Sequence, residues 1–261
     1  MNLRAFFVLF YVVNFIIVTT PERKRLRKLA ETDPAESSRI AHLQVKKAFR
    51  NMLRIAGVKI EVSGLDNIPD ESCLYVGNHN SYVDILVSEV VIPTGAGFVS
   101  KDSLQKIPGL SSWMYLIHCL FLNRTDVREG LKMITTGAEY LKEGYSMFIF
   151  PEGTRSRDGH IGEFKGGSLK MAQKAGAPIV PVAISGTSSI FEKNGGFRIT
   201  PGNVRVAFGT PFKFSELTKE QKKTISEHTR AAIQEMLDRH TESIQAVSYT
   251  HLRAHETLSD V

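Results

Sequence analysis

Cys73-Leu74-Tyr75-Val76-Gly77-Asn78-His79-Asn80-Ser81-Tyr82-Val83-Asp84 starts as a short apolar run, closes on a glycine and then turns polar. A run of this kind reads as a strand buried on both faces, and residues 81–91 read as the helix that follows it until Pro93-Thr94-Gly95 breaks the pattern. One strand, one turn and one helix in succession is the unit from which the rest of the chain is read.

Working outward, Val58-Lys59-Ile60-Glu61-Val62-Ser63 alternates as a half-buried strand does, and residues 65–72 form a loop rich in Asp, Asn and Pro. Downstream, residues 98–101 are a short strand. Thr125-Asp126-Val127-Arg128-Glu129 reads as a helix start with a capping box, the helix running to about Glu143-Gly144. Residues 145–150 are a strand, 166–175 a helix, 179–184 a strand interrupted by Pro181, and 204–208 a late strand. Thr218 with Gln221 caps a final helix ending near His240. Strands alternating with helices of this length predict an α/β fold, a single domain over 58–245 with a mixed, largely parallel sheet flanked by helices.

The 261 residues are 42% hydrophobic with a net charge of +6, a globular composition that excludes disorder and a multi-span membrane protein. Cys73 and Cys119 stand far apart with no ligand spacing around them, so neither a disulfide framework nor a structural metal is expected. Charge is concentrated: Arg4, Arg23, Lys24, Arg25, Arg27 and Lys28 face only Glu22 in the first 30 residues, which carry five of the six net positives. The basicity therefore argues for a membrane surface rather than nucleic acid.

Residues 5–18 are apolar apart from Asn14. As a helix they cover roughly 21 Å, short of the roughly 30 Å hydrocarbon core, so a tilted span and a helix lying in one leaflet are both open. A cleaved signal peptide is the competing reading, but a dense basic run after Thr19-Thr20-Pro21 replaces the small-residue cleavage site. Residues 1–20 are thus expected to be an apolar membrane anchor that holds the following chain on the cytoplasmic side, at the inner membrane of a bacterium. Residues 21–57 are a basic amphipathic helical segment, with Ala41, Val45, Ala48, Phe49, Met52, Leu53, Ile55 and Ala56 on one face and Lys46, Arg50 and Arg54 on another. That second face is either solvated or laid on anionic headgroups. The tail, 246–261, continues no apolar period. From Ser248 it resembles a translated sequencing-adapter read-through, so it is expected to be non-native or disordered.

No G-x-S-x-G, P-loop, H-E-x-x-H or G-x-G-x-x-G sequence is present. Chemistry-bearing residues gather instead in four blocks at strand ends. In the first, Asp84 lies one and a half helical turns from His79, where it can fold back on one imidazole nitrogen and leave the other as a base. An isolated His-x-x-x-x-Asp is more often a structural histidine beside a helix-capping aspartate, so this spacing decides nothing alone. Lys101 and Arg124 each follow an apolar run. Phe148-Ile149-Phe150-Pro151-Glu152-Gly153-Thr154-Arg155-Ser156-Arg157 opens a buried strand into a turn suited to phosphate through guanidinium forks and backbone N–H groups. The fourth block is the strand around Pro181, expected to shape a pocket wall or an edge.

In this order and spacing the blocks resemble the glycerolipid acyltransferase family, in particular its 1-acyl-glycerol-3-phosphate acyltransferases. The likeness spans roughly 58–211: His79 and Asp84 match the H-x-x-x-x-D block, Phe150 to Ser156 match F-P-E-G-T-R-S throughout, and Arg124, Pro181 and Phe164-Lys165-Gly166-Gly167 match the remainder. Only Asn80 stands where Gln is frequent. The resemblance implies transfer of an acyl group from acyl-CoA or acyl carrier protein to the sn-2 hydroxyl of lysophosphatidic acid, with no metal and no redox cofactor. His79 would be the base and Asp84 its orienter. Lys101, Arg124, Thr154, Arg155 and Lys165 would bind the phosphorylated acceptor, and Glu152 and Gly153 would shape its site, Glu152 toward a glycerol hydroxyl. A family member with another acceptor, glycerol-3-phosphate or a different lysolipid, fits the same motifs, and a non-catalytic membrane-binding homologue is the alternative outside enzymes.

Overall fold

The apolar runs become strands: β1 (Val58–Ser63), β2 (Leu74–Gly77), β3 (Gly97–Lys101), β4 (Leu120–Leu122), β5 (Met147–Ile149), β6 (Ile179–Ser185) and β7 (Gly202–Phe208). In the computed structural model, which describes residues 1–123, 126–156 and 159–256 with the side chains of those ranges except Val127 and 242–256, they form one sheet ordered β1-β7-β6-β2-β5-β3-β4. β6, β2, β5, β3 and β4 run parallel, while β7 is antiparallel to β6 and carries β1 parallel to itself. The fold class is as expected, a mixed and mostly parallel sheet.

Side-chain alternation along each strand divides the core into two layers. Tyr75, Phe148, Val180 and Val182 pack toward α1 (Leu3–Val18), α2 (Thr20–Ala30), α3 (Pro34–Ala56), α4 (Val83–Val91) and α5 (Leu110–Leu116). Leu74, Val76, Met147 and Ile149 pack toward α6 (Val127–Lys142), α7 (Lys170–Ala175) and α9 (Ile225–Glu256). A short α8 (Lys219–Lys223) precedes α9 and carries the expected Thr218/Gln221 capping box.

Several expectations need adjustment. α7 starts at Lys170 rather than 166, because Gly166 and Gly167 favour the turn that precedes it over helix. The final helix does not stop near His240: its backbone runs to Glu256, and no glycine or proline after Pro211 interrupts it. The described cap of α6 is Asp126, whose side chain accepts from the Arg128 N–H at 2.8 Å; Thr125 lies outside the described residues. Pro181 is not at an edge but within central β6, and it does form part of a pocket wall, lining a depression with Gly209, Phe212 and Met236. The antiparallel ladder to β7 begins one residue later at Val182↔Phe208, so the missing N–H falls outside it, while the Pro181 carbonyl still accepts from Gly209 at 2.8 Å.

The N-terminal helices are docked on this body. Phe15 stacks on Trp113 at 5.5 Å, the Trp113 indole N–H donates to Thr19 Oγ1, and Asn51 donates to the Tyr11 hydroxyl. α1 and α2 meet at a 53° bend, and no single described helix is long and apolar enough to cross a membrane. Arg23 of the basic cluster turns inward, donating to the Ile16 carbonyl and to Thr19 and Thr20 at the C-terminal end of α1, where a cation is favoured.

Lys46 corrects the reading of α3. It is buried rather than aligned with exposed Arg50 and Arg54, and its ammonium donates to the Ile92 and Pro93 carbonyls at the C-terminal end of α4. A row of residues four apart drifts about 40° per step around a helix, which carries its first member into the α3–α4 contact. Beside it His42 meets Glu89 of α4 at 2.7 Å, and Ser38 Oγ lies 3.2 Å from His118 Nδ1. This polar seam fixes α4, whose first turn carries Asp84.

His118 is the one described non-glycine residue with positive φ (59°), and it stacks on Tyr145 at 3.7 Å. Burial, with a smaller contribution from the nearby His42, pulls its pKa down to about 4. Between that value and about 6.5 the unfolded chain binds the extra proton, so stability is complete above pH 6.5 and is lost as the pH falls toward 4, by about 3 kcal/mol in full. His118→Asn, which tolerates the left-handed backbone, should flatten the dependence of Tm on pH across that window. A slope equal to that of the unsubstituted protein would contradict the assignment.

Candidate active site

Because β2, β5, β3 and β4 are parallel, their C-terminal ends share one edge of the sheet, where open α/β folds bind ligands. His79 follows β2, the Glu152 turn follows β5, and Lys101 closes β3. Arg124 lies outside the described residues. In space β5 stands directly beside β2, so the first and third motif blocks, far apart in the chain, are adjacent.

His79 Nδ1 lies 2.9 Å from Asp84 Oδ2. The same oxygen accepts from the backbone N–H groups of Asn80 and Ser81 at 2.7 and 2.8 Å, and the carboxylate is fully buried. Asp84 thus fixes both the turn and the ring. An N–H at Nδ1 directed at this carboxylate leaves the Nε2 lone pair free, on an imidazole that is 13% exposed. One face of the ring lies flat on Phe150, centroids 4.1 Å apart, so the third block supplies the floor on which the imidazole of the first rests.

The backbone of His79 is held from both sides. Its N–H donates to Glu152 Oε1 at 2.8 Å and its carbonyl accepts from the Ser156 N–H at 2.8 Å. Glu152 Oε2 accepts from Gly162 N–H at 2.9 Å, so each oxygen of this buried carboxylate already binds a backbone donor. Burial raises the Glu152 pKa despite the opposing pull of those two N–H groups. In this structure Glu152 ties the His79 turn to the 162 loop. Asn78 completes the frame: its side-chain amide both donates to and accepts from the Ile184 backbone, at 2.9 and 2.8 Å, extending the β2–β6 pairing by one step.

Arg155 is gripped by two other loops. Its guanidinium donates to Glu192 Oε1 at 2.8 Å and lies 3.8 Å over the Tyr82 ring, while the Tyr82 N–H donates to that same Glu192 oxygen at 2.9 Å. Thr154, Arg155, Ser156, Ser188, Glu192 and Lys193 line an open cleft of about 340 Å³. Gly153 has φ 69°, and a Cβ there would stand 2.8 Å from Lys165 Nζ. The glycine therefore serves both the left-handed turn and the passage of Lys165 across it. Lys101 is exposed two strands from β2, at the outer part of the edge.

Sequence reading did not single out Phe150 as a ring support, Tyr82 as a guanidinium platform or Glu192 as its counter-ion. Phe150 and Tyr82 lie inside the quoted blocks; Tyr82 stands between His79 and Asp84, an available signal, whereas the place of Phe150 under the ring follows only from β5 standing beside β2. Glu192 gave none: it is a lone acid in a loop more than 30 residues after Arg155.

The arrangement has relatives. The acyltransferase family profile matches residues 59–185. A chloroplast 1-acyl-sn-glycerol-3-phosphate acyltransferase of Arabidopsis thaliana is 36% identical over 65% of this chain and 49% of its own length. A probable enzyme of the same name from Mycoplasma pneumoniae is 30% identical over 69% of this chain and 68% of its own. The crystal structure of the 1-acyl-sn-glycerophosphate (LPA) acyltransferase from Thermotoga maritima superposes with a TM-score of 0.76 at 28% identity, covering 94% of this chain and 95% of that one. The chain spans about half the length of the plant relatives it matches (45% and 49%) and about two thirds of the bacterial ones (63% and 68%). On profile, sequence and fold together, the chain belongs to the acyltransferase family that includes the 1-acyl-sn-glycerol-3-phosphate acyltransferases.

Proposed function

We propose that this chain transfers an acyl group from a thioester, acyl-CoA or acyl carrier protein, to the sn-2 hydroxyl of 1-acyl-glycerol-3-phosphate, yielding phosphatidic acid at the cytoplasmic face of the cell membrane. The observation that carries the reading is the buried Asp84 contact to His79 Nδ1, beside a forked cation and a cleft lined by hydroxyls.

His79 Nε2 takes the proton of the acceptor hydroxyl as its oxygen attacks the thioester carbonyl. Asp84 keeps the ring oriented and stabilises the imidazolium. The tetrahedral intermediate collapses by breaking the carbon–sulfur bond, and the imidazolium proton passes to the departing thiolate. No enzyme nucleophile enters, which accords with the absence of G-x-S-x-G. The acceptor's phosphate is held in the cleft by Arg155, whose fork can bind it while retaining Glu192, with Thr154 as a further contact.

Seating at the bilayer is supported by α1. Phe6, Phe7, Leu9, Phe10, Val13, Ile17 and Val18 are all exposed, a row of apolar side chains without a protein partner on their outer faces. A helix of this length covers roughly 24 Å, so α1 lies in the near leaflet and α2 brings Lys24, Arg25 and Lys28 to the headgroups. Such a seat gives access to a lipid acceptor from one side and a soluble acidic donor from the other.

His79→Ala should lower acyl transfer by about 10² to 10⁴ with Tm and vesicle binding retained, followed as thiol release from acyl-CoA in the presence of lysophosphatidic acid. Turnover at the unsubstituted rate would remove His79 from the reaction. Arg155→Ala should raise the acceptor KM about tenfold or more while kcat changes little, as expected for a charge-assisted contact present in ground and transition states alike. An acceptor KM that does not move would exclude Arg155 as the phosphate ligand.

A further inference from the structure

Among the described residues, the large apolar side chain most open to solvent is not on α1: Phe197 is 73% exposed, against 71% for Leu3. It sits in Gly195-Gly196-Phe197-Arg198, just after the helical turn Glu192–Asn194. Gly195 and Gly196 have φ of 74° and 72°, conformations that send the chain outward and back and that other residues resist.

The tip is built rather than loose. Asn194 Nδ2 donates to the Ser189 and Ile190 carbonyls at 2.7 and 3.0 Å, and the Thr200 N–H donates to the Ile190 carbonyl at 2.9 Å, closing the loop at its base. Two residues beyond Phe197 the chain is clipped to the start of α1: Asn2 Nδ2 donates to the Ile199 carbonyl at 2.8 Å, and Asn2 Oδ1 accepts from the Ile199 N–H at 3.1 Å while also capping α1 through Ala5 N–H. Phe7 of α1 and Ile199 line the same open depression of about 530 Å³. The N-terminal end of α1 and the base of this loop therefore border one depression, lined also by Leu3, Arg4 and Pro201. Lys193 and Arg198, both exposed, flank the ring with positive charge.

An exposed aromatic ring bracketed in the sequence by two exposed cations, on a loop clipped to the start of an apolar helix, matches the water–lipid boundary, where the ring enters the acyl region and the cations meet anionic headgroups. We propose that the Phe197 tip is a second bilayer contact, reaching an anionic lipid surface together with α1. The inference rests on the membrane seating proposed above and deepens it. The same segment begins at Glu192, which holds Arg155, so a lipid-bound tip turns the phosphate cleft toward the surface from which the acceptor comes.

The test places a cysteine at the tip. Cys73 and Cys119 are buried, so Phe197→Cys in the full chain can be labelled singly with an environment-sensitive fluorophore. Leu65→Cys is the control, since Leu65 is also exposed but follows β1 at the opposite edge of the sheet. With vesicles of phosphatidylglycerol and phosphatidylcholine, the label at 197 should shift to the blue and brighten several-fold, while the label at 65 should stay water-like. In co-sedimentation, Phe197→Ser should weaken vesicle binding by about 3- to 10-fold, the effect of losing part of a buried Phe side chain, with Tm unchanged because the ring has little protein around it. A water-like label at 197 on protein that does sediment with vesicles would overturn the inference alone. So would an equal shift at both positions, or a shift caused by acyl carrier protein and not by vesicles. Failure of the unsubstituted chain to sediment would remove the membrane seating and this inference together.

Discussion

One carboxylate oxygen, Asp84 Oδ2, receives the His79 imidazole and two successive backbone N–H groups in a setting closed to water. A buried carboxylate is costly unless the protein supplies donors to it, and here the turn supplies them to Oδ2, while Oδ1 has no hydrogen-bond partner among the described residues. The sharp passage from β2 into α4 exists because its N–H groups converge on Asp84, and the ring is aimed because the same atom accepts the hydrogen bond from its Nδ1. Asp84 sits in the first turn of α4, where a negative charge also meets the favourable end of the helix. Around this centre the remaining contacts are supports: Phe150 under the ring, Glu152 and Ser156 on its backbone, and the Lys46–His42–Glu89 seam at the far end of α4.

The contact explains why two motifs remote in sequence act as one. β5 inserts beside β2, and the turn after it holds the His79 backbone on both sides, through the Glu152 carboxylate and the Ser156 N–H. Glu152 is therefore best understood as scaffold, spending both oxygens on N–H groups of two different loops, whereas Arg155 points into the cleft and is steadied by Tyr82 and Glu192.

Much of this was legible in the amino-acid sequence, for physical reasons that also mark its limits. Buried strands such as Leu74–Gly77 and Ile179–Ser185 announce themselves as continuous apolar runs. Residues 102–120 gave no pattern, because α5 is too short for periodicity and its Trp113 and Tyr115 face different surroundings, one buried and one exposed. The inward turn of Lys46 could not be read either. Its alignment with Arg50 and Arg54 is real along the sequence, but what decides its burial is the pair of carbonyls at the end of α4, which only tertiary packing brings near. Glu192 was invisible for the same reason.

The interleaving of β5 between β2 and β3 bears on how the molecule comes into being. As the polypeptide emerges from its N-terminal end, the apolar α1 and the basic α2 appear first, and the His79 turn soon after, with Asp84 already at hand to organise it. The imidazole nevertheless has no aromatic floor and no hold on its amide and carbonyl until Phe150, Glu152 and Ser156 have been added. Translation order thus places some 130 residues of growth between the apolar segment and the seating of the His79 ring. A chain interrupted within that interval retains the apolar helix but lacks the floor and clamps that hold the His79 ring in place.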